Sequence, residues 1–377
     1  MDFISNLHFW GGSALGSVLP FLFVLTVVVF FHELGHFLVA RRCGVKIDAF
    51  SIGFGPELFG FFDRHGTRWR IAAIPLGGYV RFHGDDSAAS TPDHTTLDRM
   101  TAAERKVSFF HKPVAQRAAI VAAGPIANFL LAIAIFAGIF TIFGKSESPA
   151  RVHSIQPNSV AATAGFKEGD LVLTIDGRKI ETFSDMQRIV TVSPGQTLVF
   201  VVERDGGQLT LSAVPTLEEH KDRFGNVYHF GRLGITGILD APKPVGLPKA
   251  IALGAAESWF VVDRTLSYLG GVIIGRESAD QLGGPLRIAQ ISGQVASVGF
   301  PELLNLTALL SVSIGLLNLF PIPLLDGGHL LFYGIEAVRG RPLSERAQEV
   351  GFRIGLAIVV MLMIFATVND ILHLRAS

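Results

Sequence analysis

The chain has 377 residues, 49% of them hydrophobic and 17% charged, with a mean hydropathy of +0.44. That is too apolar for an ordinary soluble enzyme and points to a membrane protein. Basic and acidic side chains balance at 32 each, so nothing in the charge argues for a nucleic-acid partner, and none is expected. The single cysteine, Cys43, excludes an intrachain disulfide and a cysteine-cluster metal site.

The first predicted element is an apolar run. Val18 to Phe31 alone is too short for a span, which takes about 20 residues. It reaches spanning length only by continuing through His32-Glu33-Leu34-Gly35-His36 to Ala40. Ahead of it stands Asp2 and no lysine or arginine, which reads as an uncleaved anchor. Arg70 to Phe82 reads as two short apolar strands around Gly77-Gly78, a β-hairpin. A second span runs from about Ala115 to Phe143 and contains Gly124-Pro125-Ile126-Ala127-Asn128. Pro125 and Asn128 could face a site or simply pack small residues between helices.

Residues 148–240 have a different texture. Arg151–Ile155, Leu171–Ile175, Leu198–Glu203 and Leu209–Val214 read as strands, and Ser159–Phe166 and Asp185–Val190 as short helices. Asp176-Gly177 is a strong hairpin signal. The segment is long enough for a separate α+β core. Ala250–Ile274 and Leu282–Val298 are apolar but interrupted, the former by Glu257, Asp263 and Arg264, and read as amphipathic helices on or partly in the membrane. A third span, Leu303–Ala337, is broken by Pro321, Pro323, Gly327 and Gly328, and a fourth runs from Ile354 to Val368. The expected division is a membrane core of residues 1–147, an inserted domain of 148–240, amphipathic helices in 241–302 and a second membrane part in 303–377.

Lysine and arginine crowd the loop after the first span (Arg41, Arg42, Lys46), the approach to the second (Arg105, Lys106, Lys112, Arg117) and the loop before the fourth (Arg339, Arg341, Arg346, Arg353). The positive-inside rule puts those segments in the cytoplasm, and the inserted domain and both termini outside.

His32 and His36 lie four residues apart, hence on one face of a helix. Such a pair can hold Zn²⁺, and the Glu33 between them can act as general base. Within an apolar span, ionisable groups default to a functional reading. A catalytic zinc normally has three protein ligands, so a third is needed. The candidates are Asp326 and His329, beside the break in the third span. Asp326 is favoured, since a carboxylate in an apolar segment needs a compensating charge. The Pro/Gly break there is tolerated where backbone lines a cavity. The competing role for Asp326 is a simple helix cap.

HELGH in the first span, AGPIANF in the second and NLFPIPLLDGGH in the third together resemble the site-2 protease family of zinc metalloproteases, in particular the bacterial regulator-of-sigma-E proteases. The resemblance covers nearly the whole chain. It implies a polytopic α-helical membrane protein with four transmembrane helices and a re-entrant β-hairpin at Arg70–Phe82. On it His32, His36 and Asp326 are ligands of a zinc cofactor, Glu33 is the catalytic base, and Asn318 is a catalytic residue that holds substrate or polarises its carbonyl. QPNSVAATAGFKEGDLVLTIDGRKI, followed by GRLGITGI, resembles a PDZ domain, implying an inserted PDZ-like domain outside the cytoplasm, in the periplasm, that could take a peptide C-terminus or contact substrate. Relatives with two such domains in tandem are known, and this chain has room for one. The implied function is regulated intramembrane proteolysis in the bacterial inner membrane. The implied partners are the bilayer and single-span substrates such as anti-sigma factors, with remnant signal peptides a further possible class. The alternative is a PDZ-containing membrane scaffold with a structural or inactive metal site. A catalytic base in the motif argues against it.

Overall fold

The computed structural model describes residues 14–84, 100–145, 148–221, 227–238, 240–276, 279 and 283–376. The reading of Asp2 as part of an anchor lies outside them. The chain divides into two compact units, Met1–Ile139 with Pro248–Ile371, and Phe140–Leu247 with Leu372–Ser377.

The first unit opens with α1 (Ala14–Arg42), strands β1 (Ile47–Phe62) and β2 (Arg68–Phe82), the short α2 (Ala102–Val107) and the long α3 (Val114–Ile142). α1 ends on Arg41 and Arg42, cations that complement the negative end of the helix dipole. α2 starts on a capping box, with Thr101 accepting from Glu104 N and Glu104 reaching back to Thr101 N.

β1 and β2 form a strongly bent antiparallel pair. Phe50 pairs with both Val80 and Trp69, so residues 47–52 run between the two halves of β2, while residues 57–62 pair with 68–72. The expected hairpin of residues 70–82 around Gly77-Gly78 is therefore replaced by a curled sheet, in which both halves of that segment pair with β1. Gly53 (φ +87°) sits with its Cα against the Ile74 and Ala72 carbonyls, where a Cβ would overlap backbone. Phe50 is completely buried and meets Phe30, Phe37 and Trp69, joining the sheet to α1.

The second unit contains β3 (Ser154–Ile155), α4 (Val160–Thr163), β4 (Leu171–Ile175), β5 (Arg178–Lys179), α5 (Phe183–Thr191), β6 (Leu198–Arg204), β7 (Gly207–Ala213), β8 (Thr216–Lys221), β9 (Val227–Arg232) and β10 (Ile235–Thr236). A four-stranded sheet runs β5-β4-β6-β7, with the pairs β10-β3 and β8-β9 beside it. Asp176-Gly177 and Asp205-Gly206 all have positive φ, as two-residue hairpin turns require. The alternating inward residues Leu198, Phe200 and Val202 meet Val172, Ile175, Phe183 and Phe166 in one core. Arg204 donates twice to buried Asp170, at 2.7 Å each. The chain enters and leaves this unit side by side, with Lys145 N donating to Lys243 O and Lys243 N to Lys145 O. The β8-β9 hairpin has no counterpart in the sequence reading.

The first unit resumes with α6 (Leu247–Ile273), α7 (Pro285–Val298), α8 (Phe300–Asn318), α9 (Asp326–Arg339) and α10 (Glu345–Ala376). Among the described residues four helices are long and apolar enough to cross a membrane: Gly16–Arg42, Val114–Ile142, Phe300–Asn318 and Glu345–Leu372. The expected third span of 303–337 is thus two helices. α8 reaches spanning length. α9, with 14 residues, is about 21 Å long and falls short of the ~30 Å apolar layer. α7 packs along α1, where Gly293 lies against Ser17. α10 touches the rest of its unit through Gly351 on Phe332, Gly355 on Pro323, and Asp370, whose carboxylate accepts from Gly284 N, Leu286 N and Arg287 N at the start of α7.

Candidate active site

Three segments far apart in sequence meet at one cavity of about 210 Å³, which is lined by His32, Glu33, His36, Asn318, Asp326 and His329, and by the 78–82 segment of β2. α1 brings the two histidines to one face. α3 crosses that face very closely. Gly35 lies on the Ala123 carbonyl and the Ala127 methyl, and Gly124 lies on both imidazoles, so a side chain on either glycine would overlap its neighbours. Small residues at such crossings let helix backbones approach.

Asp326 comes from the far side. The chain leaves α8 at Asn318, turns through Leu319–Leu325 and re-enters helix at Asp326. Leu324 has φ +91°, a conformation costly for a side chain of that shape and one that concentrates at functional sites. Gly327 lies on the Leu319 and Phe320 carbonyls and Gly328 on Ile322 and Pro323, with no room for a Cβ at either. The two glycines after Asp326 therefore serve close backbone packing. Asp326 does not cap α9. The cap position is Leu325, without a side-chain cap, and the Leu325 carbonyl accepts from Gly328 N and His329 N. α9 is tied to the start of α3 by Arg117, whose guanidinium donates to Glu336 at 2.6 Å and lies over the Tyr333 ring at 4.9 Å.

The carboxylate of Asp326 points at the histidines. His32 Nε2 is 3.1 Å from Asp326 Oδ2, His36 Nε2 is 3.6 Å from Oδ1, and the two Nε2 atoms are 3.2 Å apart. A tetrahedral site with arms of about 2.0–2.1 Å has edges of about 3.3–3.4 Å, so these three separations fit zinc. Oδ2 is buried and, despite the nearness of His32, receives no hydrogen bond of acceptable geometry. A buried carboxylate oxygen without a donor is costly unless another cation satisfies it. Two neutral imidazoles and one carboxylate are also the donor set that borderline-soft zinc accepts. His32, His36 and Asp326 form the one such three-residue group among the described residues. His329 lines the same cavity but stands outside the trio, with its ring against Phe352 at 5.4 Å.

Glu33 lies on the sheet side of α1, beside the Gly78–Val80 edge of β2. Gly78 allows this approach, because a Cβ there would run into Ser51 O, Val29 and Glu33. Asn318 ends α8 at the cavity wall. Gly124 and Leu324 escaped the reading of the sequence as site residues, although a Gly-Pro pair inside an apolar span was a visible signal for the first, whereas the Tyr79-Val80 edge belongs to the Arg70–Phe82 segment that the sequence singled out. Asn128 proves to face the site, with its amide 3.2 Å from His32 Nδ1.

The model of peptidase family M50 matches residues 20–362. A protein of Rhizobium meliloti named as a zinc metalloprotease is 52% identical over 359 residues, covering 94% of this chain and 96% of its own length. One of Agrobacterium fabrum, named likewise, is 50% identical, covering 96% and 97%. Metalloprotease MmpA of Caulobacter vibrioides is 43% identical, covering 93% and 94%. Among solved structures, the PDZ domain of an SdrC-like protein from Listeria monocytogenes aligns with 25% of this chain and 90% of its own at 19% identity. Its TM-score of 0.19 is too low to define the fold of the inserted unit. With a zinc-fitting trio beside a glutamate, four helices of membrane-spanning length and relatives matched end to end, the chain belongs to peptidase family M50, the site-2 protease family, and is a zinc metalloprotease.

Proposed function

We propose that this protein hydrolyses peptide bonds inside the membrane, in the transmembrane segments of single-span proteins, with His32, His36 and Asp326 as the zinc ligands and Glu33 as general base. The observation that carries the reading is the depth of the trio. His36 lies six residues from the Arg42 end of a 27-residue apolar helix, about 9 Å in from a basic terminus. Zinc bound there supplies Lewis-acid polarisation of the scissile carbonyl and makes water a better nucleophile. Glu33 takes the proton of the attacking water and returns it to the departing amine. Asn318, on the cavity wall, would hold the substrate carbonyl or steady the charge that develops on it.

A transmembrane helix hides its own peptide bonds, so substrate must be held extended. The edge of β2 at residues 78–82 lines the cavity, and a strand added to it would lie beside Glu33. Exposed Phe59, Phe61, Phe62, Ile71, Ile74 and Leu76 suit a sheet that dips into lipid. By the positive-inside rule, Arg41 and Arg42 mark the cytoplasmic end of α1 in a bacterial inner membrane. The unit inserted between α3 and α6 is then periplasmic and, on its sequence likeness to PDZ domains, contacts peptides or screens substrates. Anti-sigma factors already trimmed outside the membrane, and remnant signal peptides, have the required form.

Metal analysis and cleavage of a reconstituted single-span substrate test the proposal. Glu33→Gln should keep its zinc and lose at least about 10²-fold in rate, the lower end of a general-base contribution. Near-normal cleavage by that variant would overturn the mechanism.

A further inference from the structure

We propose that Asn128 is the positioning residue of the metal site: its side-chain carbonyl accepts the Nδ1–H of His32 and so leaves Nε2 of that ring bare for the metal. The inference rests on the ligand set proposed above and extends it to the helix behind the ligands.

The logic begins with His36. Its Nδ1 is 2.9 Å from the backbone carbonyl of Ile120. A carbonyl can only accept, so Nδ1 carries the ring proton and Nε2 presents its lone pair to the cavity. His32 faces the same demand, because its Nε2 lies 3.2 Å from that of His36 and 3.1 Å from Asp326. For Nε2 to be a ligand, Nδ1 of His32 must be protonated, and its proton needs an acceptor. The group in reach is the Asn128 amide, 3.2 Å away. An amide can turn either end toward a ring. Only the carbonyl end is compatible with a protonated Nδ1.

Asn128 is built for this task. It is fully buried in a helix whose stretch from Ala118 to Phe140 is otherwise composed of apolar and small residues. Ser311 Oγ donates to its backbone carbonyl at 2.8 Å, and Gly315 of α8 lies on its Cβ and on the Pro125 carbonyl. Its Oδ1 is one of the few buried side-chain oxygens among the described residues without a hydrogen bond in the present amide orientation. A half-turn of the amide gives that oxygen the His32 proton. α3 then supplies the outer partner of both histidines, Ile120 O for one and Asn128 for the other, eight residues apart on one helix face, with Gly124 midway making room for both rings.

The test is zinc affinity of the full-length protein in detergent, read by competition with a chromophoric chelator, for wild type, Asn128→Asp and Asn128→Leu. Outer-shell partners of metal-bound histidines typically contribute about 10–100-fold in affinity. Asn128→Leu, similar in volume but unable to accept, should fall by that factor. Asn128→Asp, an acceptor only, should bind zinc as well as wild type or better. A packing role predicts the reverse order, because leucine fits an apolar helix crossing and a buried carboxylate does not. A wild type that binds no zinc would instead strike at the ligand set. A readout that needs no variant is the Co²⁺-substituted wild type. Its proton spectrum should contain two paramagnetically shifted, slowly exchanging ring N–H signals, one for each histidine. Wild-type zinc affinity in a folded Asn128→Leu protein, or a single such signal in the cobalt form, would overturn the assignment.

Discussion

Gly124→Ala is the sharpest probe of how the helices hold this site. A methyl group built on Gly124 would lie 2.9 Å from His32 Cε1 and 2.5 Å from His36 Cε1, up to about an ångström inside ordinary contact distance. His36 cannot retreat without giving up the hydrogen bond to Ile120 O. Separating α1 from α3 would open the contacts of Gly35 with Ala123 and Ala127. Overpacking of this kind costs about 1–3 kcal/mol. If it falls on the zinc-loaded state, affinity drops about 5- to 150-fold, since 1.4 kcal/mol is one decade. Gly138 lies on the same helix, and a methyl group added there would meet nothing within 4 Å, so Gly138→Ala is the control and should be neutral or slightly stabilising. Zinc content after dialysis against a chelator, measured beside detergent-phase thermal stability, separates loss of metal from loss of fold. Gly124→Ala with wild-type zinc retention and cleavage would refute the close-approach argument.

Asp326→Asn removes the charge at nearly constant shape and should lose both zinc and turnover, whereas His329→Asn should keep its zinc; metal content of the two purified variants decides, and the opposite pattern would move the third ligand to His329. Because Lys145 and Lys243 pair backbone to backbone, residues 146–242 can be replaced by a short glycine turn; that protein should still load zinc and cut a pre-trimmed substrate, and a folded, zinc-loaded but inactive product would refute a purely screening role for the inserted unit. At the β1–β2 turn, burial alone would raise the Asp63 carboxyl, but hydrogen bonds from Arg41, from the Thr67 and His65 backbone and from Trp69 hold it below the ordinary carboxylate range. A depressed folded-state value contributes stability that is complete at neutral pH and is lost as pH falls through about 4 toward the depressed value. Amide exchange at His65 and Thr67 should accelerate in that window, and protection unchanged down to about pH 2.5 would count against the Asp63 network.

What the sequence made legible is what chemistry or periodicity writes into short stretches. His32, Glu33 and His36 announce themselves because charge is costly in an apolar helix, and Asp326 because a carboxylate beside a Pro/Gly break needs a reason to be there. What stayed hidden depends on which backbone lies next to which. Gly124 is one small residue among many in an apolar span, and its need to be glycine exists only because two imidazoles from another helix rest on it. Gly327 and Gly328 read only as part of a helix break, and their need to be glycine comes from the carbonyls of the preceding loop that they rest against. The segment around Gly77-Gly78 reads as two short apolar strands of a hairpin, but its two halves find better partners on either side of β1, a choice made by long-range pairing and not by the turn. Asn128 is the instructive middle case. Its polarity in a span flagged it, and packing was an equally good reading until its amide was found beside His32 Nδ1. A polar residue in a membrane helix thus identifies a demand for a partner, and only the crossing of a second helix says whether that partner is another backbone or the ring that holds the metal.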